Sequence, residues 1–564
     1  MINRESEHWG QQLRRRLNRH LTQTARRGLQ FTGLFSLVLL LAVGCGGGGQ
    51  DAADTSGDTT TTAASPAGGR VAVGTTLTAR TLDPADSYET FPGILLYNMG
   101  DRLYTYAPGT TDIEPQLATE LPTISDDQLT YTIPLREGVT LHDGTPFNAE
   151  VMAFSLQRFM DNGGRPAFLL ADPIESVEAT GEYELTIKLA KPFAALTSML
   201  TFSGATPVPP EQYEIGEGSF KPDTFIGSGP YKLASFSSDV IKLDVNEDYW
   251  GDAPANEGID IQVFTSPANL YNTFQSGGLD VAYQTLDPDQ IAALEKDADA
   301  NSWQVIEAGA AVVNYMTLNQ KIAPFDQLEA RQALAAMIDR NILNERAFQG
   351  QAEPLYTMIP PTFAVSEPVF EDAYGDGNYD EAKKLLAAAG FSEASPMAFD
   401  IWYPSSSTTR SIVANTLKEA IETNLPGLVE VTVNSAESAA LREQMRQGAY
   451  TAMLDNWYPD YFDPENFALP FFSCAKPSGD GLCEEGAAQS TGAFYYSEKA
   501  NELLDKQSAE ADPAARSELF KELQTVTAED VPYVPLWQNK DYVFSVDGVD
   551  GVQVEPNQQF LLWQ

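Results

Sequence analysis

Between Gln128 and Arg136 apolar and polar side chains alternate, placing Leu129, Tyr131, Ile133 and Leu135 on one face. That period of two predicts a half-buried strand, and Tyr183, Leu185, Ile187 and Leu189 repeat it. Elsewhere the period lengthens to that of a helix. Asn148 caps a run bearing Val151, Met152, Phe154, Leu156 and Phe159. Asp326 is placed to cap a stripe of Ala330, Leu334, Met337 and Ile338. Tyr379 to Ala389 predicts a helix stopped by Gly390, and Ser411 to Glu422 another. A strand over Val429, Val431 and Val433 follows, then a late helix along Leu519, Phe520, Leu523 and Val526. Interleaved strands and helices without a repeat period predict an α/β protein of more than one domain.

The first 69 residues break this pattern. Seven arginines precede an apolar core from Phe31 to Ala42, shorter than the ~20 residues of a transmembrane helix. Residues 1–44 therefore read as a signal peptide, with general secretion favoured over twin-arginine export because the flanks of Arg26-Arg27 match that signal poorly. Leu41-Ala-Val-Gly-Cys45 resembles a bacterial lipobox, which makes Cys45 the expected lipidated first residue of the mature chain. Residues 45–69 lack large apolar side chains and predict a disordered linker reaching roughly 25–30 Å. Its four glycines lack the Gly-Lys-Ser/Thr of a phosphate loop.

Charge and composition then narrow the function. The 564 residues carry 35 bases against 79 acids, a net charge of -44. Losing the leader's seven bases and two acids takes this to -49. Such a surface excludes nucleic acid as a partner and is repelled by anionic membranes, so residence at a membrane calls for an anchor. His8 and His20 fall in the leader, so multi-histidine metal sites are excluded and a serine or cysteine hydrolase would rest wholly on His142. No metal site and no cofactor is expected. Cys474 and Cys483, close together in an exported chain, predict a disulfide.

One stretch stands out for chemistry. Asp455-Asn-Trp-Tyr-Pro-Asp-Tyr-Phe-Asp-Pro464 holds three acids and four aromatics and no base. Buried carboxylates are costly unless a cation meets them. A ligand is one source of that cation, and a solvated acidic turn is the alternative.

The order of short motifs adds to this. Pro115-Gln-Leu-Ala118, Leu129 to Gly138 and His142-Asp-Gly-Thr-Pro-Phe-Asn-Ala-Glu-Val151 come first. Gly227-Ser-Gly-Pro-Tyr-Lys232, Asn246-Glu-Asp-Tyr-Trp250, Pro324-Phe-Asp326 with Arg331, and Ile338-Asp-Arg340 follow. Closed by Trp457 to Pro464 and spread over some 350 residues, this series resembles family 5 of the bacterial extracellular solute-binding proteins, the oligopeptide-, dipeptide- and nickel-binding receptors of ABC importers.

The resemblance implies a two-lobed periplasmic-binding-protein (Venus-flytrap) fold with an extra subdomain in the first lobe. Residues 70–312 plus 536–564 would form that lobe, with the subdomain at about 110–225, and residues 313–535 the second. Val312 to Asn319 and Val531 to Trp537 are the expected crossings. Trp-x-x-Asp aligns Asp460 with the family aspartate that takes a peptide's α-ammonium. Trp457, Tyr458 and Tyr461 would wall the cleft, while Asp455 and Asp463 take turn or structural roles.

The carboxylate-binding arginine of the dipeptide-binding relatives has no counterpart, since its slot holds serines or Pro404, and Arg410 aligns with a structural position. His142 is expected to be structural, and Trp537 and Tyr315 to face either cleft or core. The implied function is a lipid-anchored receptor passing peptides to a permease with a separate ATPase. A nickel chelate, an oligosaccharide or another cationic solute is the alternative cargo. A secreted hydrolase using Asp455 and Asp460 as acid and base is a weaker alternative, and a signalling or adhesive lipoprotein a third class.

Overall fold

Two long strands, Gln304–Leu318 and Tyr533–Ser545, pair antiparallel and form the spine of an 11-stranded mixed sheet. The computed structural model describes residues 69–557 and 559–563, so the expected leader, Cys45 and all but the last residue of the linker lie outside it. Register between the spine strands shifts between Gly309 and Val313. On one side of that irregularity, Gln304 to Gly309 pair with Lys540 to Ser545; on the other, Val313 to Thr317 pair with Tyr533 to Gln538. Both strands are longer than the crossings expected from sequence. Each runs unbroken out of one wing of the sheet into the other.

In the first wing Val281–Tyr283, Val71–Thr75, Gly258–Val263, Val240–Val245 and Tyr231–Phe236 continue the sheet outward. Helix Thr90–Met99 packs on one face, within a core that includes Ile94, Leu95, Tyr283, Val543 and Phe560. In the second wing the order is Ala452–Trp457, Met397–Pro404 and Val429–Ala436. Its core joins the helices Leu328–Met337, Tyr379–Ala388 and Thr408–Asn424. A separate four-stranded antiparallel sheet, with Thr130–Pro134 and Glu184–Leu189 at its centre, stacks on helix Ala149–Asp161 around its own apolar core.

Most sequence-derived elements occur within a few residues of the expected places. Asn148 accepts a hydrogen bond from the Val151 amide at the start of its helix, and Gly390 lies at φ 87 beyond Ala388. The Asp326 cap does not form. The Gln327 amide bonds Pro324 in a turn, Arg331 donates to the Phe325 carbonyl, and the helix begins only at Leu328.

The motifs that carried the resemblance hold the fold together. His142 accepts the Gly227 amide at Nδ1 (3.3 Å), so Nε2 carries the proton and donates to the Gly229 carbonyl at 3.1 Å. Burial pushes this imidazole down to about 4, leaving it neutral. Asn246 donates to the same carbonyl, while Tyr249 and Trp250 donate to buried Asp101. Arg340, almost wholly enclosed, pairs with Asp376 at 2.7 Å. Cys474 and Cys483 are disulfide-bonded, with Cα atoms 5.6 Å apart.

Candidate functional site

Strand Ala452–Trp457 pairs with the spine at Val313–Leu318 and ends where the sheet passes between wings. Asp463 then accepts the Glu465 amide and starts the short 3-10 helix Pro464–Phe467. Tyr458 to Phe462 are thereby held in a loop at a strand's carboxyl end, the usual position for ligands in α/β sheets. A cavity of about 410 Å³ opens there. Tyr88, Thr90 and Tyr97 line it from the first wing, and Trp457, Tyr458 and Asp460 from the second.

The three acids of this stretch meet different partners. Asp455 is held bidentately by Arg442 (3.0 and 3.2 Å), and Asp463 by Arg516 (2.8 Å to each oxygen). Asp460 has no ion pair among the described residues. Its carboxylate accepts the Tyr88 hydroxyl at 2.5 Å, and its amide donates to Asn466 at 2.9 Å. Burial pushes the Asp460 carboxyl up to about 6, with the bonds from Tyr88 and Asn466 holding it lower than burial alone would. The Tyr88 phenol is raised in turn by burial and by the neighbouring carboxylate.

Around Asp460 the aromatic residues are fixed to different degrees. Trp457 donates from Nε1 to the same Asn466 oxygen at 3.1 Å and packs edge-on against Phe471. Tyr458 is 50% exposed and has the freedom to meet a ligand. Tyr461 reaches the cavity wall but is nearly buried, with its ring against Phe193 in the subdomain core. The structure thus brings all four expected binding residues to one cavity and gives Tyr461 an anchoring role as well. Tyr315 also lines this cavity while packing edge-on against Phe471.

A second chamber of about 370 Å³ shares Asn456 and Tyr458 with the first. Arg410, Trp537, Asn539 and Lys540 are among its walls. Arg410 stands in the first turn of Thr408–Asn424 and donates to Asn456 at 2.5 Å. Its Nε is buried without an acceptor. The structural position expected for Arg410 is therefore also a position in the cleft. Tyr88, Asn466 and Arg442 complete the site, and nothing in their local sequence marks them.

A cavity between two wings of one sheet, spanned by two continuous strands, defines the two-lobed α/β solute-binding class. The family model for "Bacterial extracellular solute-binding proteins, family 5 Middle" matches residues 112–479, and the chain belongs to that family. It is 28% identical over 496 residues to heme-binding protein A of Haemophilus influenzae, covering 81% of this chain and 86% of that one. It is 27% identical over 522 residues to di/tripeptide-binding protein 2 of Pseudomonas aeruginosa, covering 86% and 92%. The solved structure of HbpA2 from Haemophilus parasuis superposes with a TM-score of 0.76 at 21% identity, covering 88% of this chain and 99% of that one. The family consists of solute-binding receptors.

Proposed function

We propose that the protein is the lipid-anchored substrate-binding component of an ABC importer. In this reading it captures short peptides between its lobes and delivers them to a permease driven by a separate ATPase. One observation carries the peptide assignment: Asp460 is a carboxylate in the cleft whose hydrogen-bond partners are all neutral. A peptide's α-ammonium supplies the missing charge and makes strong charge-assisted bonds in a closed, water-poor cleft. Trp457 and Tyr458 offer apolar surface beside it, and wet pockets accept varied side chains. The di/tripeptide-binding relative supports this cargo. Acylated Cys45 supplies the anchor, and the protein binds without turning its ligand over.

Titration calorimetry with a peptide and its N-acetylated form tests the assignment. The free peptide binds more tightly to the wild type, and Asp460→Asn removes the difference. Equal binding of both forms by the wild type overturns the ammonium contact. A second cargo class is favoured by the name of the heme-binding relative. Mass spectrometry of ligand released from the purified protein decides between them, and recovery of only non-peptide solutes overturns the peptide reading.

A further inference from the structure

Asp541 lies on the spine strand Tyr533–Ser545, with Tyr542 and Phe544 packed on one face of the sheet. Alternation along the strand turns Asp541 and Val543 to the other face. Val543 belongs there to the core that holds Tyr283 and Phe560, on the side of helix Thr90–Met99 whose residues line the first chamber. The neighbours of Asp541 in sequence, Asn539, Lys540 and Tyr542, line the second chamber together with Tyr458. Asp541 therefore stands close to Tyr458, a residue that borders both chambers, whose phenol is raised by burial and then by the Asp541 charge.

Its Oδ2 is buried and accepts no hydrogen bond, and it forms no ion pair among the described residues. The nearby Tyr283 hydroxyl is likewise buried and unbonded. Lys540 is paired with Glu307 and Arg410 donates to Asn456, and neither is ion-paired with Asp541. A carboxylate so placed is unfavourable unless a cation reaches it. With no counter-charge, its carboxyl rises to about 7 through burial alone. Asp541 is held on rigid sheet, beside the half-exposed Tyr458 that belongs to both chambers.

We propose that Asp541 is a second cation subsite of the cleft, selecting ligands that carry a basic side chain in addition to the α-ammonium. This rests on the peptide reading, with the α-ammonium at Asp460 and a lysine- or arginine-like group reaching past Tyr458 to Asp541. A single carboxylate without histidine, cysteine or a second acid suits an ammonium or guanidinium better than a metal ion. The protonated form must shed its proton to bind the cation, so occupancy near neutral pH releases about half a proton per site. The strongly negative protein as a whole draws cationic ligands toward the cleft.

Calorimetry on the mature chain with Ala-Lys-Ala and Ala-norleucine-Ala tests this, since these peptides share length and termini and differ by one ammonium. The lysine peptide binds the wild type roughly tenfold to a hundredfold more tightly. It also releases about half an additional proton at pH 7, read as a buffer-dependent enthalpy. In Asp541→Asn both the preference and the extra proton release disappear. Equal affinity of the two peptides for the wild type overturns the subsite and leaves the peptide reading standing, as does a lysine preference that survives in Asp541→Asn. If neither peptide binds, the peptide reading fails, and 1,5-diaminopentane becomes the probe. A thermal shift in the wild type that is lost in Asp541→Asn then sustains the cation subsite, and no shift overturns it.

Discussion

Asp460 and Asp463 are three residues apart on one loop, and their surroundings assign them opposite work. Arg516 grips Asp463 at 2.8 Å through both oxygens, and the carboxylate also starts the 3-10 helix. Asp460 faces the cavity with a tyrosine hydroxyl and an amide for company. A carboxylate met by a protein cation is finished as a structural element. One met by neutral donors keeps an unfilled demand that a ligand can satisfy. Charge alone does not separate the two; the partner does.

The largest expected effect breaks the structural half of this pair. Asp463→Ala leaves Arg516 enclosed without its anion and destabilises the fold by about 3–5 kcal/mol, measured by urea denaturation. Asp460→Asn sharpens the other half. It lowers affinity for a free peptide by about 1.5–3 kcal/mol in calorimetry while leaving the urea midpoint without ligand unchanged or raised. A loss of folding stability as large as that of Asp463→Ala would erase the distinction between the two acids.

Acidity gives the next effect. With the Asp460 carboxyl at about 6, binding of a cationic ligand weakens roughly tenfold between pH 7.5 and 5. The sign for folding is opposite to that of a salt-bridged acid. The native carboxyl holds its proton above the unfolded value, so the native state binds more protons than the unfolded chain in this range. Lowering the pH from 7 toward 4 therefore adds stability to the ligand-free protein, measured as thermal midpoints across that range. The smallest effect belongs to Tyr88→Phe. Losing one hydrogen bond, about 1 kcal/mol, moves the acid limb of ligand binding to higher pH, seen in affinities measured from pH 5 to 8.

Much of this arrangement could be read from residue order. Alternation over Leu129 to Leu135 and the helical stripe after Asn148 gave their elements directly, because local period reports burial on one face. Asp460 emerged from its Trp-x-x-Asp setting in a stretch without bases. Tyr88 did not, since a lone tyrosine 372 residues away carries no sign of the carboxylate it will meet. Arg442 and Arg516 escaped notice because each lies in an ordinary helical run and reaches its acid only after folding. Asp541 ends the polar run Gln538-Asn539-Lys540-Asp541 within its strand, and sequence does not say whether a donor waits opposite it.

The sequence by itself determined the mixed α/β architecture and the acidic, base-free stretch, since each depends on composition or on spacing within a few turns of chain. Tertiary structure alone decided which of the three acids has no ion pair among the described residues, that Arg410 borders the cleft, and that Asp541 lies close to the tyrosine shared by two chambers. The reason is physical. Periodicity encodes which face of an element is buried, whereas the charge state and availability of a buried group depend on partners brought from hundreds of residues away.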